Sequence, residues 1–296
     1  MSNKIKKIFL IGADGQLGSD LKRVLEKDYQ IFCPLIDELD IAHYDKVREY
    51  IELNRPDLAI NTAVYLANVD GMEINYEDTF RVNALAVNNL AKICGEFDIP
   101  LVHTSSDYVF DGKKTNPYTE TDVTNPINVY GISKVASEHF TRCGCHKYFI
   151  IRPAIMFGKN LCKHQGRTNL VEKIIQGAKA GKEMRFKTDT YMSPTYALEL
   201  AETIKALIET NAYGLYHITN DGFCTPYEFA KEVLTLTGLK ANLIPVRTRE
   251  FEEIAKGAKR PLNSVLAHKN LKSLGLYQMS HWQEAIKKYL KERKYV

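Results

Sequence analysis

The chain is poor in the features that mark specialised classes of protein. No apolar run approaches the roughly 20 residues that a bilayer-spanning helix needs, so no transmembrane segment is expected. Residues 1–7 are polar and basic, without the apolar middle and small-residue cleavage site of a secretory signal. Neither sign of charge dominates: 40 Lys and Arg against 36 Asp and Glu leave a net charge of +4, mixed along the chain. That balance gives no reason to expect nucleic acid or an anionic membrane as a partner. Cysteine is sparse, six in 296 residues, as suits free thiols in a reducing compartment. Cys143, Cys145 and His146 lie together but lack a second Cys/His pair at zinc-site spacing, so no metal is expected. These absences describe a soluble, cytoplasmic protein, and nothing in it repeats or is of low complexity.

What is present is a rhythm. Short apolar runs at 7–11, 30–33, 57–61, 100–105 and 148–152 alternate with helical patterns at 16–26, 44–53, 77–95 and 130–141. Runs apolar nearly throughout read as strands buried on both faces. Their alternation with helices predicts an α/β fold, a doubly wound parallel sheet with ligands at the carboxyl ends of its strands. After Arg152 the rhythm breaks. A polar, basic stretch at 158–169 leads into helical patterns at 170–180, 196–210, 226–237 and 281–293, with short strand candidates at 184–187, 214–219 and 242–245. The expected organisation is a dinucleotide-binding domain over 1–157 and a smaller α/β substrate lobe over 158–296, with part of 190–220 returning to the first domain.

Glycines at 12, 15 and 18 follow the first apolar run directly. A turn that binds a dinucleotide needs one glycine for the bend, one where backbone meets pyrophosphate and one for helix–strand packing. The helix N-terminus beyond it offers N–H groups to the phosphates. Placed between a strand and a helix, Gly12, Gly15, Gln16, Leu17 and Gly18 read as cofactor-binding. The spacing G-x-x-G-x-x-G is the short-chain dehydrogenase form. Cys33-Pro34 stands where the second strand ends, so the carboxylate that would hold an NAD ribose is absent there, and no arginine waits for a 2′-phosphate. The cofactor is therefore expected to be NADP(H) or NAD(H), with Asp40 near the adenine.

Tyr130 and Lys134 lie four apart, on one face of a helix. Reduction of a ketone needs a proton for the new alkoxide, and an ammonium about 4 Å from a phenol at effective dielectric near 20 would lower its pKa by about 3 units. Tyr130 is thus the expected acid–base group and Lys134 its partner. A hydroxyl just beyond the fourth strand completes the set; Ser106 is the choice and Ser105 the alternative, donating to the substrate oxygen as charge develops. Tyr227 and Lys231 repeat the spacing within an amphipathic stretch far from any strand end, and read as structural.

Residues 103–112 (HTSSDYVFDG) resemble the STDYVFDG segment of dTDP-4-dehydrorhamnose reductases, which are extended short-chain dehydrogenase/reductases. Residues 125–134 (NPINVYGISK) are similar to that family's NPxNxYGxSK, 12–18 to its GxxGQLG, 39–41 to its LDI and 259–266 to its RPxxSxL. The resemblance runs nearly end to end. It implies a Rossmann cofactor domain and reduction of the C4 ketone of a nucleotide-linked 4-keto-6-deoxy sugar, in nucleotide-sugar and polysaccharide biosynthesis. It implies that Ser106, Tyr130 and Lys134 are catalytic, that Asp40, Ile41, Ala63 and Tyr65 touch cofactor, and that Val69, Asp70, Asn83 and Arg260 lie near cofactor or substrate. It also leaves room for a homodimer. Three departures stand out. Ile155 occupies the place of a tryptophan expected near the sugar. The stretch 61–70 is one residue longer. The loop after Gly158 is long and basic, so Lys159, Lys163 or Arg167 is expected to meet a diphosphate. Two other readings share the same residues: a sugar-nucleotide epimerase or dehydratase, and a non-catalytic regulatory subunit that binds NADP. The Asp-Glu pair wanted for a dehydratase is absent beside Ser106, and an intact Ser, Tyr and Lys set speaks against a purely regulatory role.

Overall fold

The apolar runs become the strands of one parallel sheet. The computed structural model describes residues 5–160, 168–250 and 257–296. β1 (Lys7–Ile11), β2 (Gln30–Phe32), β3 (Leu58–Asn61), β4 (Leu101–Thr104) and β5 (Tyr148–Arg152) lie side by side in the order β2-β1-β3-β4-β5, and Gly214–His217 adds a sixth strand beyond β5. Every pairing is parallel. β3 and β4 are buried along their whole length because helices cover both faces. On one face, α1 (Gln16–Leu25) packs its Leu17, Leu21 and Leu25 among Leu200, Ile204 and Leu207 of a later helix. On the other, α2 (Tyr44–Asn54) supplies Val47 and Ile51 to a cluster with Leu90 and Ile93.

One expected helix is not continuous. After α3 (Val69–Ile74), the pattern at 77–95 is divided into α4 (Tyr76–Phe80), a π-helical turn at Arg81–Leu85, and α5 (Ala86–Glu96). A π turn inserts an extra residue without disturbing the spacing of apolar positions enough to be seen in sequence. Its effect is to bury Asn83 completely. α6 (Val129–Gly144) then carries Tyr130 and Lys134, its first turn capped by the Asn128 side chain, which accepts from Gly131 N–H at 2.8 Å.

The smaller lobe is built from β6 (Met156–Phe157), α7 (Leu170–Lys179), β7 (Met184–Lys187), β8 (Thr195–Tyr196), α9 (Pro226–Thr237), β10 (Leu243–Val246) and the helix Trp282–Glu292. β6 pairs with β8, and β7 with β10. Phe157, Ile174, Tyr196, Phe229, Trp282 and Tyr289 form its core. Between these pieces the chain returns to the large sheet through α8 (Ala197–Ile208) and β9 (Gly214–His217). Among the described residues, no helix is long and apolar enough to cross a membrane.

Candidate active site

The strand order reverses at β1, so a crevice opens at the carboxyl ends of β1 and β3. The glycine turn sits there. Gly12 has φ +78°, and a Cβ on it would stand 2.8 Å from Thr62 Oγ1 and 3.0 Å from Ala63 N, both at the end of β3. A Cβ on Gly18 would stand 2.0 Å from the Gly12 carbonyl oxygen, so only glycine lets α1 start this close to β1. Gly15 caps α1 without a side-chain hydrogen bond, and the first turn holds no acidic residue. Gln16 Nε2 is buried there without a hydrogen-bond partner among the described residues. Free N–H groups, a helix N-terminus and an orphaned amide fit the diphosphate of a dinucleotide. The side chain of Leu17 is in the core, so only its backbone is available to a ligand.

At the far end of this crevice, Asp40 accepts from Ala42 N–H at 2.9 Å and lies 3.7 Å from Arg81 Nη1. Ile41 is buried against the α2 and α5 side chains. Glu38 accepts from Leu35 N–H at 2.8 Å. No carboxylate ends β2 itself, and an arginine reaches Asp40 from the π turn, a position that no local sequence pattern after β2 could reveal.

Ser106, Tyr130 and Lys134 converge at the end of β4. The Tyr130 hydroxyl faces Ser106 closely enough for that hydroxyl to favour its ionised form. Ser106 Oγ donates to Asp107 Oδ1 at 2.9 Å and accepts from Tyr108 N–H at 3.2 Å. Lys134 Nζ donates to the Thr104 carbonyl at 2.9 Å and lies 5.9 Å from the Tyr130 ring centre. Sequence reasoning expected the ammonium to lower the phenol; here burial dominates instead and pushes Tyr130 up to about 12. The same burial pushes Lys134 down to about 8, with Glu138 opposing it. A phenol that holds its proton is the form required of an acid, and an ammonium beside it would stabilise a phenolate only as it formed. A pH consequence follows from the sign: Lys134 is cationic below about 8 and loses its charge above it. Reduction at saturating cofactor should be level below that value and fall as pH rises through it. A rate still level at pH 10 would exclude Lys134 as the required cation.

Ser105 is placed otherwise. Its Oγ donates to Glu138 Oε1 at 2.6 Å, and Glu138 is held by Arg152 through Nε at 2.7 Å and Nη2 at 2.6 Å. Arg152 also lies 5.1 Å from the Phe110 ring centre. Both ions are almost fully buried, so removing Arg152 leaves buried Glu138 with only the partly exposed Arg142, 3.3 Å away, as a counter-charge. Arg152→Ala should cost about 3–5 kcal/mol in urea unfolding, and an unchanged midpoint would contradict this account of the pair.

The remaining candidates fall into distinct places. Ala63 and Tyr65 follow β3; Tyr65 N–H donates to Asn83 Oδ1 at 2.7 Å, and Asn83 Nδ2 donates to Ser133 at 3.1 Å. Asn83 thus spends both ends of its amide inside the protein, bracing the loop after β3 against α6. Val69 opens α3, and Asp70 beside it forms a two-pronged pair with Arg260 at 2.9 and 3.0 Å. Ile155 is partly exposed just beyond β5, and Lys159 is exposed; Lys163 and Arg167 lie outside the described residues. Tyr227 and Lys231 are on α9 in the small lobe, with Lys231 exposed and Phe229 and Val233 turned into the core. Sequence reasoning missed Asp107 as a group in its own right. It is buried between Ser106 and Ser264, and burial pushes it up to about 6 against those hydrogen bonds. Its place directly after Ser106 was the only signal.

A parallel sheet with this glycine turn, and a Ser, Tyr and Lys set facing it, defines an extended short-chain dehydrogenase/reductase, a class of NAD(P)-dependent oxidoreductases. Within that class the chain belongs to the dTDP-4-dehydrorhamnose reductase family: the family model described as RmlD substrate binding domain matches residues 6–295. Spore coat polysaccharide biosynthesis protein SpsK of Bacillus subtilis is 33% identical over 288 residues, 97% of this chain and 98% of that protein. A dTDP-4-dehydrorhamnose reductase of Aggregatibacter actinomycetemcomitans is 30% identical over 295 residues, 95% of this chain and 97% of its own. The crystal structure of a dTDP-4-dehydrorhamnose reductase from Bacillus anthracis in complex with NADP superposes with a TM-score of 0.91 at 34% identity, covering 98% of this chain and 100% of that one. A UDP-glucose 4-epimerase from Thermotoga maritima shares the fold alone, with a TM-score of 0.81 at 17% identity.

Proposed function

We propose that the chain reduces the C4 ketone of a nucleotide-linked 4-keto-6-deoxy sugar of the dTDP-4-dehydrorhamnose kind, with NADPH or NADH as the reductant. The observation that carries this reading is the convergence of Ser106, Tyr130 and Lys134 just beyond β4, with Lys134 Nζ 5.9 Å from the Tyr130 ring centre and bonded to the Thr104 carbonyl, at the sheet edge where the glycine turn opens. The glycine turn and the N-terminus of α1 hold the diphosphate of the cofactor, whose nicotinamide supplies the hydride when bound. Tyr130 gives its proton to the oxygen at C4. Ser106 donates a hydrogen bond to the same oxygen as it gains charge, exchanging Asp107 for the substrate as acceptor. Lys134 offsets the charge left on the phenolate. The epimerase alternative rests on relatives of this fold below 20% identity, whereas the curated relatives near 30% identity include several named as reductases.

Oxidation of NADPH and of NADH, followed at the nicotinamide absorbance with a dTDP-4-keto-6-deoxy sugar, tests the reading. Rapid oxidation with either cofactor supports it and fixes the preference. Absence of oxidation with that substrate and with GDP-, UDP- and CDP-linked keto sugars, while cofactor still binds, would overturn it in favour of a binding role.

A further inference from the structure

The segment from residue 257 onward crosses the site and is fastened at several points. Asp70, on α3, grips it hardest. Its carboxylate takes both Nη2 contacts of Arg260, at 2.9 and 3.0 Å, and also the Ala258 N–H at 2.9 Å. Arg260 Nη1 folds back on the Ala258 carbonyl at 3.0 Å. Gly257 brings the backbone so near that a Cβ would lie 2.4 Å from Asp70 Oδ1. The Asp70 carboxylate already accepts three hydrogen bonds from this segment.

The same segment reaches the acid by two routes. The Arg260 guanidinium stands near the Tyr108 hydroxyl and each favours the other's charged form, and the Tyr108 ring meets that of Tyr130 edge-on, 5.9 Å between centres and 67° between planes. Asn128, the residue that caps α6 two positions before Tyr130, donates from Nδ2 to the Lys259 carbonyl at 2.8 Å. The start of α6 is also held by Glu73, which follows Asp70 on α3 and accepts from Val129 N–H at 3.1 Å. α3, the crossing segment and the first turn of α6 therefore form one hydrogen-bonded corner around Tyr130.

We propose that Asp70 and Arg260 act as a clamp that sets the position of Tyr130 through Tyr108 and Asn128, and are positioning residues rather than ligands of the sugar or cofactor. The inference rests on Tyr130 being the acid. Both side chains are more than a third exposed, so the pair contributes little to stability and its loss is felt in turnover. Misplacing a reacting group by about 1 Å can cost on the order of a hundredfold in rate.

The test compares Asp70→Asn, Arg260→Asp and the exchanged pair Asp70→Arg with Arg260→Asp. Asp70→Asn should lower kcat by about tenfold to a hundredfold with KM and NADPH affinity nearly unchanged. The exchanged pair should recover a large part of the kcat lost in Arg260→Asp. A rise in KM with kcat intact in the single variants, or an exchanged pair as inactive as Arg260→Asp while folded and binding NADPH, would make Arg260 a substrate ligand and overturn the clamp. If the exchanged pair does not fold, the kcat against KM split in Asp70→Asn decides alone. Tyr130→Phe run alongside separates the two claims: an active Tyr130→Phe enzyme removes the acid, whereas an inactive one beside a wild-type Asp70→Asn removes the clamp only.

Discussion

Tyr130→Phe should lower kcat by about 10²–10⁴-fold and leave NADPH affinity within about twofold of the parent. The substitution deletes one oxygen. The ring keeps its edge-on contact with Tyr108, and Lys134 keeps its bond to the Thr104 carbonyl at 2.9 Å. Ser106 keeps Asp107 as its acceptor at 2.9 Å. What disappears is the proton that the new alkoxide needs, a loss made only in the transition state. KM should therefore move little. Tyr227→Phe is the matched control, since α9 lies in the small lobe and turns Phe229 and Val233 into its core; turnover should be unchanged. A Tyr130→Phe protein with parental kcat, or a Tyr227→Phe protein without activity, would reverse the assignment.

The second large effect belongs to the glycine turn. Gly18→Ala places a Cβ 2.0 Å from the Gly12 carbonyl oxygen and 2.9 Å from Ala13 Cα, both backbone. Neither can rotate away, so α1 must shift outward from β1. Its N-terminus then no longer presents its N–H groups at the crevice. Overpacking of this kind costs about 1–3 kcal/mol in stability, and NADPH affinity should fall at least about tenfold with it. Gly15→Ala meets only the Gly12 carbonyl, at 3.2 Å, and is milder for the fold. Fluorescence titration with NADPH, paired with thermal unfolding, separates the two. A Gly18→Ala protein with parental stability and affinity would show that the close approach of helix and strand is not needed.

Much of this was legible in the residues because the buried strands and the glycine turn are local features. KIFLI followed by Gly12 needs no partner to be read as a strand running into a tight turn. Tyr130 and Lys134 were legible because a helix puts residues four apart on one face. The choice between Ser105 and Ser106 rested on adjacency to Asp107 and on the motif shared with the reductase family. Ser105 is drawn away by Glu138 and Arg152, and Arg152 lies on a neighbouring strand. The expected lowering of the Tyr130 phenol did not arise. Coulomb attraction was counted, but the burial that accompanies it was not, and burial is the larger effect on both groups. The π turn was hidden because one inserted residue leaves an apolar pattern nearly intact. The pairing of Asp70 with Arg260 spans 190 positions and has no local signal.

The most direct test of the central claim follows the hydride itself. The enzyme would be given a dTDP-4-keto-6-deoxy sugar and NADPH carrying deuterium at the transferable position, and the product sugar examined by NMR and mass spectrometry. Should NADPH leave no net oxidation, the nicotinamide form that is oxidised is examined in the same way. The account predicts one deuterium at C4 of the product for each cofactor oxidised. A product with no deuterium at C4, or turnover of the sugar without net oxidation of either cofactor, would contradict reduction and place the chain among enzymes that use the same Ser, Tyr and Lys set for a different end.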